Sequence, residues 1–263
     1  MKLRPLLLCA LLAVPALAED WRSELTSPLP GKFPPPPALK ATYRFAWGAI
    51  PAASADFTFS RTKRGELRLM VNAKTVGAAR ALWRMDARHE AVCRAATLQP
   101  VSLAQTETYT SKTKYTHADF DAAGVTCLRE SKPADQKPAK PNRFPCAHVF
   151  DLHTALLFVR SQRLQPGDAY CFVVYPASSA YLAHVRAVGR EKLKVAGREY
   201  NSVKLEIRLE EIRKDLTLGP HKKFKQATTW VSDDRDRLLL KVEAEVFVGS
   251  VRAELQEVEF APR

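Results

Sequence analysis

The sequence predicts a mainly β fold, a curled antiparallel sheet (an open barrel or a sandwich) wrapped around one buried helix. Three observations predict it. Aromatic and branched residues alternate with polar ones from Ala41 onward, the period-two signature of half-buried antiparallel strands. Turn-forming residues at Gly48, Gly65, Gly197 and Gly249 separate these runs. One segment alone, about 151–164, has helical character. It is apolar nearly all round, and such a helix is enclosed by protein.

Taken in order, Tyr43, Phe45 and Trp47 share one strand face, followed by a bend at Gly48–Pro51. Ala55, Phe57 and Phe59 share a face of the next strand, and Leu67, Leu69 and Val71 a face of the third. Trp83, Met85, Ala87, His89, Ala91 and Cys93 then oppose Arg84, Asp86, Arg88 and Glu90, the sharpest inside and outside in the chain. Strands near 101–110 and 113–121 are polar on both faces, which suits an exposed edge or a wet cavity wall. After Gly124 a strand with Val125 and Cys127 runs into a surface loop at 131–145, rich in proline and lysine.

The helix follows. Asp151 is its expected N-cap, because a carboxylate there accepts from the free N–H groups of the first turn. Leu152, Ala155, Leu156 and Val159 form one stripe, while Leu157, Phe158 and Leu164 cover much of the remainder. Pro166 and Gly167 stop the helix, and Asp168 opens the next strand. Tyr170–Tyr175 is apolar on both faces, as a central strand is, and Val203, Leu205, Ile207 and Leu209 face inward from a later one. The last hairpin pairs 238–248 with 251–260 through Gly249-Ser250, which fits a type II′ turn. Within its final strand the apolar phase slips by one residue near Gln256 or Glu257, the mark of a β-bulge.

The ends and the bulk charge bound the function. Met1-Lys2-Leu3-Arg4, an apolar run from Leu6 to Leu17 and Ala16-Leu17-Ala18 have the form of a secretory signal peptide cleaved near Ala18. Cys9 lies within it, without the small residue that a lipoprotein signal sets before its cysteine. The mature chain is therefore expected in the periplasm or secreted, with no transmembrane segment. Residues 19–40, with Pro34 to Pro37 at their centre, are expected to form an extended polyproline-type arm outside the core. A single β domain is expected over 41–263. Cleavage removes Lys2 and Arg4 and no acid, which takes the net charge from +13 to +11. An exported basic protein does not meet nucleic acid. Its expected partners are an anionic envelope component (lipid, lipopolysaccharide or glycan) or another exported protein.

Cys93, Cys127, Cys146 and Cys171 remain after cleavage. An even number in an exported chain points to disulfides, with Cys127–Cys146 clipping the loop and Cys93–Cys171 as the second bridge. The absence of C-x-x-C spacing argues against zinc and against a thioredoxin-like role.

Several stretches together resemble the DUF3108 family of bacterial exported proteins. They are Tyr43–Pro51, Asp151–Arg160 with Pro166-Gly167-Asp168, Val195–Tyr200, and Trp230–Asp234 running through Arg237 to Gly249-Ser250-Val251. The resemblance covers most of 40–260. It implies an exported, β-rich, single-domain fold and supplies no catalytic residue. The four cysteines and the loop at 131–145 depart from it.

Chemistry-bearing candidates are few. His148, Asp151 and His153 have ligand-like spacing, but a capping Asp151 is already engaged, so no metal site and no cofactor is expected. Arg160, alone on an apolar helix, is a candidate for holding an acidic ligand, against the plainer expectation of a buried pair with Asp168 or Glu206. Tyr43, Trp47 and Tyr175 are candidates for stacking on a sugar or lining a lipid-sized cavity, against the plainer expectation of core positions. Asp233, Asp234 and Asp236 are neutralised by Arg235 and Arg237 and mark a solvated turn rather than a calcium loop. No G-x-S-x-G occurs. The expected function is a non-catalytic exported envelope protein, a binding or assembly module. The alternative is a hydrolase of an envelope polymer acting through distant carboxylates without a local motif.

Overall fold

A computed structural model describes residues 20–135, 138–222, 224–246 and 249–261; the leader, its cleavage site and Cys9 lie outside them. Among the described residues, fifteen strands form one antiparallel sheet. They are β1 (Leu39–Trp47), β2 (Ile50–Arg61), β3 (Leu67–Thr75), β4 (Met85–Cys93), β5 (Pro100–Tyr109), β6 (Thr113–Asp121), β7 (Gly124–Lys132) and β8 (Asn142–Phe144), then β9 (Ala169–Val174), β10 (Ala180–Val195), β11 (Arg198–Ile212), β12 (Leu218–Pro220), β13 (Phe224–Ser232), β14 (Leu239–Val246) and β15 (Ser250–Phe260). Among the described residues two α-helices interrupt them, α1 (Gly77–Leu82) and α2 (Leu152–Ser161).

The strand order is β8-β7-β6-β5-β4-β3-β2-β1-β15-β14-β13-β11-β10-β9, with β12 folded onto β11. Hairpins join nearly all neighbours, and the single long closure is β1 against β15. The sheet curls but is not closed into a barrel. Its inner face carries the alternation that the sequence shows: Leu39, Ala41 and Tyr43 of β1, Leu103 of β5, Val203 and Leu205 of β11 are all buried.

α2 lies inside the curl. It touches β9, the strand at one end of the sheet order, and β4, which lies well along it toward the other end. Ala155, Phe158 and Val159 pack with Phe172, Val185, Val203 and Val231, while Leu157 reaches a second cluster built on Leu39, Phe59, Leu240 and Leu255. Phe158 stacks on Phe150 at 4.8 Å and meets Phe172 edge-on at 5.3 Å. One expectation fails locally: Leu152 is 59% exposed. It occupies the first helical position, where the side chain sits beyond the packed turn.

The gap between β8 and β9 is laced rather than paired. Phe150, just before α2, donates its N–H to Val173 O (2.9 Å) and accepts from Tyr175 N (2.7 Å). The Cys127 thiol donates to Ala177 O (2.8 Å) and Gln105 Nε2 to Pro176 O (3.0 Å).

The predicted bulge is present, since Thr42 pairs with Glu257 and Tyr43 with Leu255, leaving Gln256 over. The last hairpin differs from expectation. Ser250 already pairs with Glu245 in the ladder and Val246 N donates to Gly249 O (3.0 Å), so Gly249-Ser250 is not the turn; Phe247 and Val248 lie outside the described residues. Gly249 adopts φ +79°, and a Cβ there would stand 3.2 Å from the Trp47 indole nitrogen. The positive φ is what favours glycine here, and a Cβ would also press on the Trp47 ring. The helix α1 was not expected, because Gly77–Leu82 is too short to show a period.

The arm is extended but does not stay outside the core. Trp21 is buried and donates from Nε1 to Leu216 O (2.9 Å). Thr26 N donates to Cys171 O (2.8 Å), and Cys171 N donates to Thr26 Oγ1 (2.9 Å), so the arm covers the open edge of β9. Farther on, Gly31 N donates to Ser161 Oγ and Phe33 N to Ser161 O. A Cβ at Gly31 would fall 2.1 Å from Ser161 O, so only glycine lets the arm lie this close. Edge strands are a pairing hazard that proteins cover, and a proline-rich segment, poor in donors, covers without extending the sheet.

Candidate functional site

The residues that the sequence singles out do not converge. Asp151 is fully buried and caps α2: its carboxylate accepts from His153 N (2.7 Å), Thr154 N (3.2 Å) and Thr154 Oγ1 (2.8 Å), and the Thr154 hydroxyl accepts from Asp151 N. This capping box engages the carboxylate, so the His148-Asp151-His153 spacing assembles no cluster. His153 turns instead toward His89 of β4, their rings 5.7 Å apart.

Arg160 is 4% exposed and binds carbonyls rather than an acid: Nη1 donates to Pro34 O (3.0 Å) and Nη2 to Asp236 O (2.6 Å). Burial pushes its guanidinium down to about 10, opposed by the nearby Asp236 and Asp234 charges. Neither acid expected as its partner serves it. Asp168 is held by Arg163 (2.6 Å), which lowers its carboxyl, and Glu206 is on the exposed side of β11. Gly167 takes φ +94° in the turn and donates its N–H to Ala187 O. Tyr43 is buried with its hydroxyl on Leu239 O (2.7 Å), and Tyr175 is buried with its hydroxyl accepting from Asn142 Nδ2 (3.0 Å). These two rings sit in different core clusters. Of the four binding candidates, Trp47 alone is exposed, at 51%.

The disulfide expectation is overturned. Cys93, Cys127, Cys146 and Cys171 are all buried free thiols. Cys127 pairs in register with Asn142, and Cys146 lies beyond the end of β8, carried past it along the strand. Cys93 and Cys171 belong to separate core clusters. Burial raises all four thiols, Cys93 to about 12 with Asp151 and Glu66 adding to it. Cys93, Cys127 and Cys146 serve as small apolar side chains.

Two places outside the predicted set have chemical character. The first is one end of the sheet. Antiparallel order sets the Trp47–Ile50 turn, α1 with Trp83, the Tyr109–Thr113 turn and the end of β7 side by side at the same rim. Four large apolar side chains stand in water there: Trp47 51%, Ile50 57%, Leu82 90% and Trp83 56% exposed. Trp83 lies against Tyr109 (6.0 Å), Lys114 sits over Tyr109 (5.3 Å) and Lys132 over Tyr115 (5.5 Å). Residues 72–88, 106–115 and 129–132 supply Lys74, Arg80, Arg84, Arg88, Lys112, Lys114, Arg129 and Lys132 against Asp86, Glu107 and Glu130. Asp86 is already taken by Arg80 through two bonds (2.8 and 3.0 Å). The rim is thus both apolar and cationic. Sequence reasoning placed Trp83 on an inward strand face, but Leu82-Trp83-Arg84 at the end of a six-residue helix projects beyond the strand.

The second is a cleft of about 380 Å³ where the arm crosses β9, β10 and β11. Glu24, Cys171 and His184 bring their ligand-type atoms within 4.8 Å of one another. His184 Nε2 lies 3.1 Å from Glu210 Oε2, and Glu206, Arg186 and Arg208 complete the walls. Burial, then the charges of Glu24 and Glu210, push the Cys171 thiol up to about 12. No local motif links residues 24, 171 and 184, so nothing in the sequence could have signalled this meeting.

A family model described as "Protein of unknown function (DUF3108)" matches residues 42–256. No curated protein matches the sequence. Among solved structures, a β-barrel-like protein of domain of unknown function DUF1849 from Brucella abortus is similar over 87% of this chain and 99% of its own, with 8% identity and a TM-score of 0.61. That likeness shows a shared fold. A Bacteroides fragilis protein described as exported, with a YmcC-like fold, has 7% identity and a TM-score of 0.37 over 88% of this chain and 99% of its own. A Parabacteroides distasonis protein described as a lipoprotein has 8% identity and a TM-score of 0.37 over the same shares.

Proposed function

This chain belongs to the DUF3108 family, and from that premise we propose that it is an exported, non-catalytic envelope protein that docks on an anionic, phosphate-bearing lipid surface. The single observation that carries the proposal is the rim, where Trp47, Ile50, Leu82 and Trp83 stand exposed in a stretch whose lysines and arginines outnumber its acids. Large apolar side chains left exposed together at one end of a sheet mark an interaction site. Indole and phenol rings suit a boundary that is greasy on one side and wet on the other. Each lysine or arginine held near an anionic leaflet adds about 1 kcal/mol, and each large apolar side chain withdrawn from water about 1.5–3 kcal/mol. No helix among the described residues is long and apolar enough to cross a membrane, so docking at the surface is the mode the rim supports. The signal-peptide pattern at residues 1–18 supports export.

Co-sedimentation with vesicles tests this. The chain should bind vesicles containing phosphatidylglycerol at least tenfold more tightly than vesicles of phosphatidylcholine alone, and raised salt should weaken the binding. Replacing Leu82 and Trp83 by serine should cost a further tenfold or more. Equal binding to both vesicle types, or binding unchanged by the two serines, would refute the lipid reading. Retained binding to a soluble acidic glycan in that double variant would move the partner to a glycan held elsewhere.

A further inference from the structure

We infer that Glu24, Cys171 and His184 form a binding site for one divalent transition-metal ion of the zinc type, which ties the arm to the sheet edge. The three ligand-type atoms already lie within 4.8 Å of one another. Tetrahedral coordination with bonds of about 2.0–2.3 Å needs them roughly 3.5 Å apart, a closure that the exposed Glu24 side chain can make. A thiolate, an imidazole and a carboxylate together select a borderline-soft ion over magnesium or calcium, which take oxygen ligands. Three protein ligands leave a fourth position for water.

Two further observations point the same way. Glu210 Oε2 stands 3.1 Å from His184 Nε2. A carboxylate only accepts, so Nε2 carries the proton and Nδ1 is left with its lone pair for a metal. This is the carboxylate–histidine arrangement that orients metal ligands. The cleft also has the charge that such an ion balances. With the thiol ionised, Glu24, Cys171, Glu206 and Glu210 bring four negative charges, and Arg186 and Arg208 bring two positive ones. A divalent cation supplies the rest. Coordination by Cys171 releases the thiol proton. The arm is placed for the task, because Thr26 exchanges two hydrogen bonds with Cys171 and the buried Trp21 anchors the turn that carries Glu24. The site lies on β9 and β10, away from the rim, and stands independently of the lipid proposal.

Cobalt(II) added to the purified full chain tests the inference. One equivalent should produce a thiolate-to-cobalt charge-transfer absorption, which zinc(II) then abolishes by displacement. The band should vanish in Cys171→Ser and persist in Cys127→Ser. Glu24→Gln and His184→Ala should each weaken zinc binding at least tenfold by calorimetry. Glu24 is exposed, so its substitution leaves folding intact and keeps the test decisive even if a buried variant misfolds. Affinity should rise with pH as the thiol proton is lost. No charge-transfer band in the unsubstituted chain, a band that survives Cys171→Ser, or zinc affinity unchanged in Glu24→Gln would each overturn the assignment.

Discussion

The α2 plug and the rim treat the same kinds of side chain in opposite ways. In the plug the aromatic rings are packed against one another and the arginine is spent on carbonyls: Phe158 packs on both Phe150 and Phe172, and Arg160 joins Pro34 to Asp236. At the rim Trp47 and Trp83 stay more than half exposed, and the cations outnumber the acids. An aromatic or an arginine is therefore no sign of a binding site by its type. What distinguishes the rim is apolar surface that the fold leaves uncovered.

The sharpest way to break this comparison is to truncate one ring from each region. Phe158→Ala should lower stability by about 3–5 kcal/mol in urea unfolding, whereas Trp83→Ala should stay within about 0.5 kcal/mol. Comparable losses would mean that Trp83 belongs to the core and that the rim is not a free surface. A smaller effect separates an anchoring arginine from a ligand-binding one. Arg160→Met keeps the apolar stem but strands the Pro34 and Asp236 carbonyls, at a cost of about 1–3 kcal/mol. Cleavage after Lys32 by a lysine-specific protease should accelerate in this variant. An unchanged cleavage rate would show that Arg160 does not hold the arm.

The smallest effect concerns the face of α2 toward β4. Burial, and then the His153 charge, push His89 from 6.5 down to about 4, with Glu107 opposing. Burial likewise lowers His153, with Asp151 opposing. Neither Nε2 has a hydrogen-bond partner among the described residues. Below pH 6.5 the unfolded chain takes up protons that the folded chain refuses. The stability held by neutral His89 is therefore complete above pH 6.5 and declines as pH falls toward 4. Solvent access to the half-buried His89 ring holds its share to about 1–2 kcal/mol. His89→Gln should flatten the difference between urea midpoints at pH 7 and pH 4.5. An equally steep difference in that variant would assign the acid sensitivity to other groups.

Features set by neighbours in the chain were legible in the sequence. Asp151 reads as a cap because its partners, the N–H groups of His153 and Thr154, are two and three residues away. The bulge at Gln256 reads as a phase slip, since each residue of a strand faces opposite to the next. The strands between turns were equally plain. What escaped depends on partners far along the chain. The cysteine pairing rested on counting, and the register of β7 with β8 decides it the other way. The docking of Trp21 on Leu216 spans 195 residues, and the meeting of Glu24 with Cys171 and His184 leaves no local trace. Trp83 misled because alternation continues across the end of α1 into β4, although the helix end aims that ring outward.

The strap over β9 also sets a schedule. Thr26 finds Cys171 across 145 residues, and Gly31 finds Ser161 across 130. Contacts of such span form late, because the loop entropy must be met before they contribute. The segment that precedes every strand is thus fastened nearly last, and β9 waits with its backbone open to strand exchange with another molecule. Crowded refolding should favour entangled dimers, and dilute refolding monomers.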